Sequence, residues 1–97
     1  MALDSDPVSG YTVIVAGTPT TIGGTSAAAP AWQGFWARAQ SAKGGTLGWA
    51  NPKLYGVSAS AFHDIALGTN GLFTALPGYD YTTGRGTPDV AKLIAAL

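Results

Sequence analysis

The chain has 97 residues, five basic and five acidic side chains, no cysteine and a formal net charge of zero. That length allows one small domain at most. Scattered, balanced charge leaves no electrostatic footprint for nucleic acid, no apolar run reaches membrane-span length, and without cysteine there are neither disulfides nor thiolate metal sites.

Charged residues make up 10% of the chain, against the roughly 25% usual in soluble domains, so part of the surface is suited to lie against more protein. Asp4-Ser5-Asp6-Pro7-Val8-Ser9-Gly10 reads as a turn segment, because proline, glycine and aspartate all favour reversals. Tyr11 to Val15 is rich in β-branched and aromatic residues and reads as a strand. Ala16-Gly17-Thr18-Pro19 reverses direction and Thr20-Thr21-Ile22 forms a second short strand, giving a hairpin. Residues 1–25 therefore form a hairpin segment.

Helical spacing begins at Ser26 and runs to Lys43. Trp32, Phe35, Trp36 and Ala39 recur at intervals of three and four, while the other faces of the first turns are small and uncharged. Such a helix is expected to be buried. Pro30 falls in its early turns, where a missing N–H matters least, and Gly44-Gly45 stop it. In the connector, 44–61, Asn51-Pro52 reads as a helix cap followed by proline at the first helical position, with Gly56 as the stop. Residues 58–62 suggest another helical turn. The glycine-rich stretch 62–86 shows no sustained periodicity and reads as a long functional loop. Thr87-Pro88-Asp89 caps a last helix, residues 87–97, whose apolar stripe is Val90, Leu93, Ile94 and Leu97.

Two constellations carry chemistry. Ser26 follows Gly23-Gly24-Thr25 at the start of the long helix, where free backbone N–H groups and the helix dipole favour developing negative charge. The glycines there let another backbone, such as a substrate's, approach closely. The same position suits an ordinary helix N-cap, and a triad with His63, the single histidine, is a third possibility. The second constellation is Asp64 and Asp80 at the two sides of an irregular loop. Carboxylates with loop carbonyls suit a hard cation; turn-forming hydrogen bonds by each aspartate are the alternative.

The octapeptide Gly23-Gly24-Thr25-Ser26-Ala27-Ala28-Ala29-Pro30 resembles the nucleophile motif of the sedolisins, serine-carboxyl peptidases with a subtilisin-like fold. Further landmarks follow in that family's order: Asn51-Pro52-Lys53-Leu54-Tyr55, Phe62-His63-Asp64-Ile65, Gly68-Thr69-Asn70-Gly71, Pro77-Gly78-Tyr79-Asp80 and Thr83-Gly84-Arg85-Gly86-Thr87-Pro88. The resemblance implies an α/β architecture, the C-terminal portion of a subtilisin-like fold with a short hairpin, a nucleophile-bearing central helix, a calcium loop and a C-terminal helix. It implies a secreted peptidase in which Ser26 attacks the scissile carbonyl of a peptide or protein substrate. It also implies calcium held by the side chains of Asp64 and Asp80 and the carbonyls of Ile65, Leu76 and Gly78. Leu76 stands where glycine is frequent in the family, and Tyr79 where tryptophan is common. The family's glutamate base, its partner aspartate and an oxyanion aspartate all lie well before the serine. No glutamate is present in this chain, and Asp4 and Asp6 belong to the segment leading into the hairpin. These carboxylates are therefore expected from the remainder of a catalytic domain, which makes that remainder the chain's main partner. No secretory leader is apparent between Met1 and the polar Asp4-Ser5-Asp6, so an extracellular location rests on the resemblance alone.

Overall fold

In the computed structural model, which describes residues 1–97, the hairpin forms from two five-residue strands, β1 (Tyr11–Val15) and β2 (Thr18–Ile22). They pair antiparallel from Tyr11 opposite Ile22 to Val15 opposite Thr18. The reversal is two residues long, Ala16-Gly17, shorter than the four-residue turn expected. Both have positive φ, 48° and 80°, the signature of the type I′ turn that matches strand twist. Pro19 joins the strand opposite Ile14, which a two-stranded ribbon permits because every strand in it is an edge.

Helix α1 spans Thr25–Ala42 and contains Pro30. Pro30 is the sixth helical residue, beyond the four amides that lack partners at any helix start. It falls in the early turns as expected, but still deprives the Ser26 carbonyl of its i+4 donor. The expectation of a buried helix is also corrected: only Ala39 is buried, while Trp32, Phe35 and Trp36 are half-buried.

The chain divides into two compact units, residues 3–35 and residues 36–97 with Met1–Ala2; α1 runs through the division. The first holds the hairpin and the start of α1, where Trp32 and Phe35 meet edge to face with centroids 6.0 Å apart.

In the second unit, α2 is Ala50–Gly56 and its N-cap is Trp49. Asn51 and Pro52 are thus the second and third helical residues rather than cap and first. Proline is tolerated there because the first four amides have no helical acceptor anyway. A 3₁₀ turn, Ala59–Ala61, leads into β3 (Phe62–His63), which pairs antiparallel with β4 (Thr87–Pro88) and closes the long loop at its base. Gly86 is required at this closure: its φ is +80°, and a Cβ there would collide with the His63 carbonyl. Helix α3 (Val90–Ala96) packs on the 3₁₀ turn, and the Asp89 amide donates to the Ala61 carbonyl at 3.0 Å. Leu54, Ala61, Phe62, Ala75 and Leu93 are the buried apolar residues of this unit beside Ala39. Leu93 is 2% exposed.

Asp89 caps α3 as expected, its side chain accepting from the Lys92 amide at 3.1 Å and pairing with Lys92 Nζ at 3.0 Å. Hydrogen bonding from the Lys92 amide, then from the Lys92 side chain, holds the Asp89 carboxyl below its ordinary value. The unfolded chain therefore binds a proton more readily than the folded one. This contribution to stability is complete above about pH 3.9, the ordinary aspartate value, and disappears as pH falls through the depressed folded value. Asp89→Asn keeps a capping side chain, so its melting temperature should fall less steeply between pH 4 and pH 2 than that of the unsubstituted chain, as circular dichroism would measure. Leu93→Ala should lose about 2–5 kcal/mol in urea denaturation, because the cavity left in so small a core cannot collapse freely.

Candidate functional site

Ser26 is the second residue of α1 and is exposed. The amides of Ala27 and Ala28 both donate to the Gly24 carbonyl, at 2.9 and 3.2 Å. Ser26 therefore lies inside the first turn, and its Oγ makes no hydrogen bond within the chain, which sets aside the capping role. Gly24 has φ +106°, a conformation closed to most side chains, and a Cβ there would lie 3.3 Å from Ser26 Oγ.

The close backbone approach expected at the glycines is made by the chain itself. A Cβ on Gly23 would run into the Asp6-Pro7 backbone, and one on Gly10 into the Ile22 carbonyl. The Gly24 amide donates to the Ser5 carbonyl at 2.6 Å. Segment 4–10 is itself folded by aspartate turns: Asp4 Oδ1 accepts from the Asp6 amide and Asp6 Oδ1 from the Val8 amide, each at 2.9 Å. The turn that precedes the hairpin thus braces the glycines that precede the serine. His63, the alternative base, is an exposed residue of β3 in the other unit.

In that other unit, hydrogen bonds tie together the two ends of the 62–86 loop. The Gly78 amide donates to Asp64 Oδ2 at 2.7 Å, across 14 residues. Asp80 is 5% exposed, and its two oxygens accept four donors. The Thr82 and Thr83 amides reach Oδ1 at 2.7 and 2.6 Å; the Leu76 amide and the Thr83 hydroxyl reach Oδ2 at 3.2 and 3.0 Å. Those bonds, led by the Thr83 amide, hold the Asp80 carboxyl below the ordinary aspartate range despite the opposing effect of burial. The same hydroxyl is 3.5 Å from the Ile65 carbonyl oxygen. Asp64 with Gly78, and Asp80 with Leu76, Thr82 and Thr83, thus form two hydrogen-bonded sets, joined through the Asp64–Ile65 peptide and the Thr83 hydroxyl beside the Ile65 carbonyl. Ser26 belongs to the first unit and is part of neither.

No three histidine, cysteine or carboxylate side chains cluster anywhere in the chain. The donor set in this loop is two carboxylates plus main-chain carbonyls, oxygen throughout, which suits a hard cation and not a transition metal. Asp64 Oδ1 accepts no hydrogen bond in the chain, which leaves one carboxylate oxygen for a ligand.

Two residues of the loop matter more than the sequence indicated. Thr83 is one; Arg85 is the other. Arg85 Nη1 donates to the carbonyls of Leu54 and Tyr55 at 2.8 and 3.1 Å, satisfying the C-terminal turn of α2. Its guanidinium lies 4.7 Å from the centroid of the Phe62 ring. With Asp64, Gly78, Tyr79 and Ala59 it lines a cavity of about 260 Å³. Both residues sit in the Thr83-Gly84-Arg85-Gly86 landmark; the Thr83 bonds belong to the aspartate turn offered as an alternative at Asp80, whereas the Arg85 contacts have no local sequence signal.

Comparison with known proteins gives these positions a family. No protein-family model matches the chain. Kumamolisin from Bacillus sp. (strain MN-32) is 40% identical over 103 residues, covering all of this chain and 19% of that protein. Sedolisin from Pseudomonas sp. (strain 101) is 37% identical over 104 residues, covering all of this chain and 18% of that protein. A solved structure of Pseudomonas sedolisin, a serine-carboxyl proteinase in complex with two molecules of pseudo-iodotyrostatin, superposes with a TM-score of 0.85 at 38% identity. That match covers 95% of this chain and 27% of the other. The chain belongs to the sedolisin family.

It corresponds to a C-terminal part of those proteins and spans about a fifth of the length of these two relatives. Trp32, Phe35 and Trp36 of α1 are only half-buried, and Ile14, Leu67, Leu72 and Trp49 are exposed apolar side chains. No helix is long and apolar enough to cross a membrane.

The brace on the nucleophile motif makes a specific prediction. Gly23→Ala should destabilise the chain by about 1–3 kcal/mol, because the added methyl meets main chain that cannot rotate away. Urea denaturation measures this; an unchanged midpoint would show that residues 6–7 do not pack on Gly23.

Proposed function

We propose that this sedolisin segment carries the nucleophile of an acid-acting endopeptidase, with Ser26 as the attacking residue. The exposed, unbonded Ser26 Oγ at the start of α1 carries the reading, set in a sequence that aligns along its whole length with serine-carboxyl peptidases. In the reaction, Ser26 Oγ adds to the scissile carbonyl carbon and its proton passes to a base. Collapse of the tetrahedral intermediate expels the amine and leaves an acyl group on Ser26, which water then removes. The helix start contributes free amides and a positive dipole end near the developing oxyanion. The base and the oxyanion carboxylate come from the rest of the catalytic domain. A carboxylate base suits acid conditions, since it still accepts a proton where histidine is already charged. Peptide substrates and an extracellular, acidic working environment follow from this reading.

The same reading includes one calcium ion on the carboxylates of Asp64 and Asp80 and the carbonyls of Ile65, Leu76 and Gly78. When bound, calcium would cross-link the two sides of the 62–86 loop and take no part in the bond cleavage. The Gly78 amide on Asp64, the Leu76 amide on Asp80, the unbonded Asp64 Oδ1 and the all-oxygen donor set support it. A second reading, a calcium-binding structural module without catalysis, is favoured by the absence of any glutamate in the chain.

An assay of peptide hydrolysis between pH 3 and pH 5 separates the two. The purified 97-residue chain should show no turnover. The larger catalytic domain containing it should be active and lose about 10⁶-fold in kcat on Ser26→Ala. A larger domain that is active and indifferent to Ser26→Ala would contradict the nucleophile assignment.

A further inference from the structure

The Thr83 hydroxyl lies between the Asp80 carboxylate and the Ile65 carbonyl in the 62–86 loop. Its amide donates to Asp80 Oδ1 at 2.6 Å and its hydroxyl to Asp80 Oδ2 at 3.0 Å, so one residue holds both oxygens of a buried carboxylate. The hydroxyl also lies 3.5 Å from the Ile65 carbonyl oxygen, 18 residues away in sequence. It has one proton and two neighbouring acceptors; the shorter distance and the negative charge assign that proton to Asp80. The proton is thus committed to Asp80 and not to the Ile65 carbonyl.

We propose that Thr83 is a positioning residue for a divalent cation in this loop, fixing both oxygens of the Asp80 carboxylate through its amide and its hydroxyl. This rests on the calcium reading above and adds to it a residue outside the ligand set. Carboxylates that bind metals need outer partners to hold their orientation, and loss of one such partner typically weakens binding about 10–100-fold. Here the partner is unusually economical, because the main-chain and side-chain donors of a single residue fix the carboxylate plane. The Thr83 amide survives any substitution other than proline, so the hydroxyl's share can be isolated.

Calcium chloride titrated into the 97-residue chain by isothermal calorimetry tests this, with thermal melts in EDTA and in calcium run alongside. Thr83→Val keeps the branched shape and removes the hydroxyl. It should raise the calcium dissociation constant about 10-fold or more and shrink the calcium-induced gain in melting temperature, while Thr83→Ser should stay within about threefold of the unsubstituted chain. A residue with a merely structural role would lower the melting temperature equally in EDTA and in calcium and leave the dissociation constant unchanged, which would overturn the proposal. So would a 10-fold loss in Thr83→Ser, since the methyl group would then be responsible. Failure of the unsubstituted chain to bind calcium removes the calcium reading and this inference together, whereas binding untouched by Thr83→Val removes only the role of Thr83.

Discussion

The buried carboxylate of Asp80 is the constraint on which the glycine-rich half of the chain depends. A carboxylate withdrawn from water must find compensating donors, and this one finds four within residues 76–83. Those bonds curl the segment into a tight loop, which the reciprocal main-chain bonds between Asp80 and Gly84 then close at 3.1 and 3.0 Å. The loop can hold this shape with little hydrophobic core because its backbone polar groups are spent on one another and on two aspartates. Around it, Tyr79 stands edge-on to both Tyr55 and Tyr81, at 6.2 and 6.1 Å, so the ring surface follows the course that Asp80 imposes on the main chain.

In the other unit the governing constraint is steric. Main chain at Asp6-Pro7 runs against Gly23, and the Ile22 carbonyl runs against Gly10, at separations that leave no room for a methyl group. The serine's approach is therefore set by packing of main chain on main chain before any catalytic partner is considered. Pro30, by contrast, leaves the Ser26 carbonyl without its helical donor. Under the proposed reading, a serine placed after this close-packed entry, with an unbonded hydroxyl, would need a base and an oxyanion partner supplied from elsewhere.

How much of this was legible in the sequence depended on the range of the interaction. The hairpin strands and α3 were readable because β-branched and aromatic content, helical periodicity and an aspartate cap act within a few residues. Pro19 misled the turn length, since proline marks turns but is also accepted on an edge strand, and Asn51-Pro52 misled the start of α2, since proline fits anywhere in a helix's first turn. The requirement for Gly23 was visible as a requirement for close approach, but the approaching backbone was the chain's own. Arg85 bonds to carbonyls 30 and 31 residues away, and no local pattern encodes that. From its local pattern Ser26 reads as a helix cap more readily than as a nucleophile; the ordered landmarks downstream reverse that, and the helix beginning at Thr25 with an unbonded Ser26 Oγ sets the cap aside.

The central claim is that Ser26 forms the covalent bond to substrate. Acid-quenched mass spectrometry of the larger catalytic domain during turnover of an ester substrate tests it most directly. An acyl group should be found on the proteolytic fragment that contains Ser26. An acyl group mapped to a different residue would contradict the account.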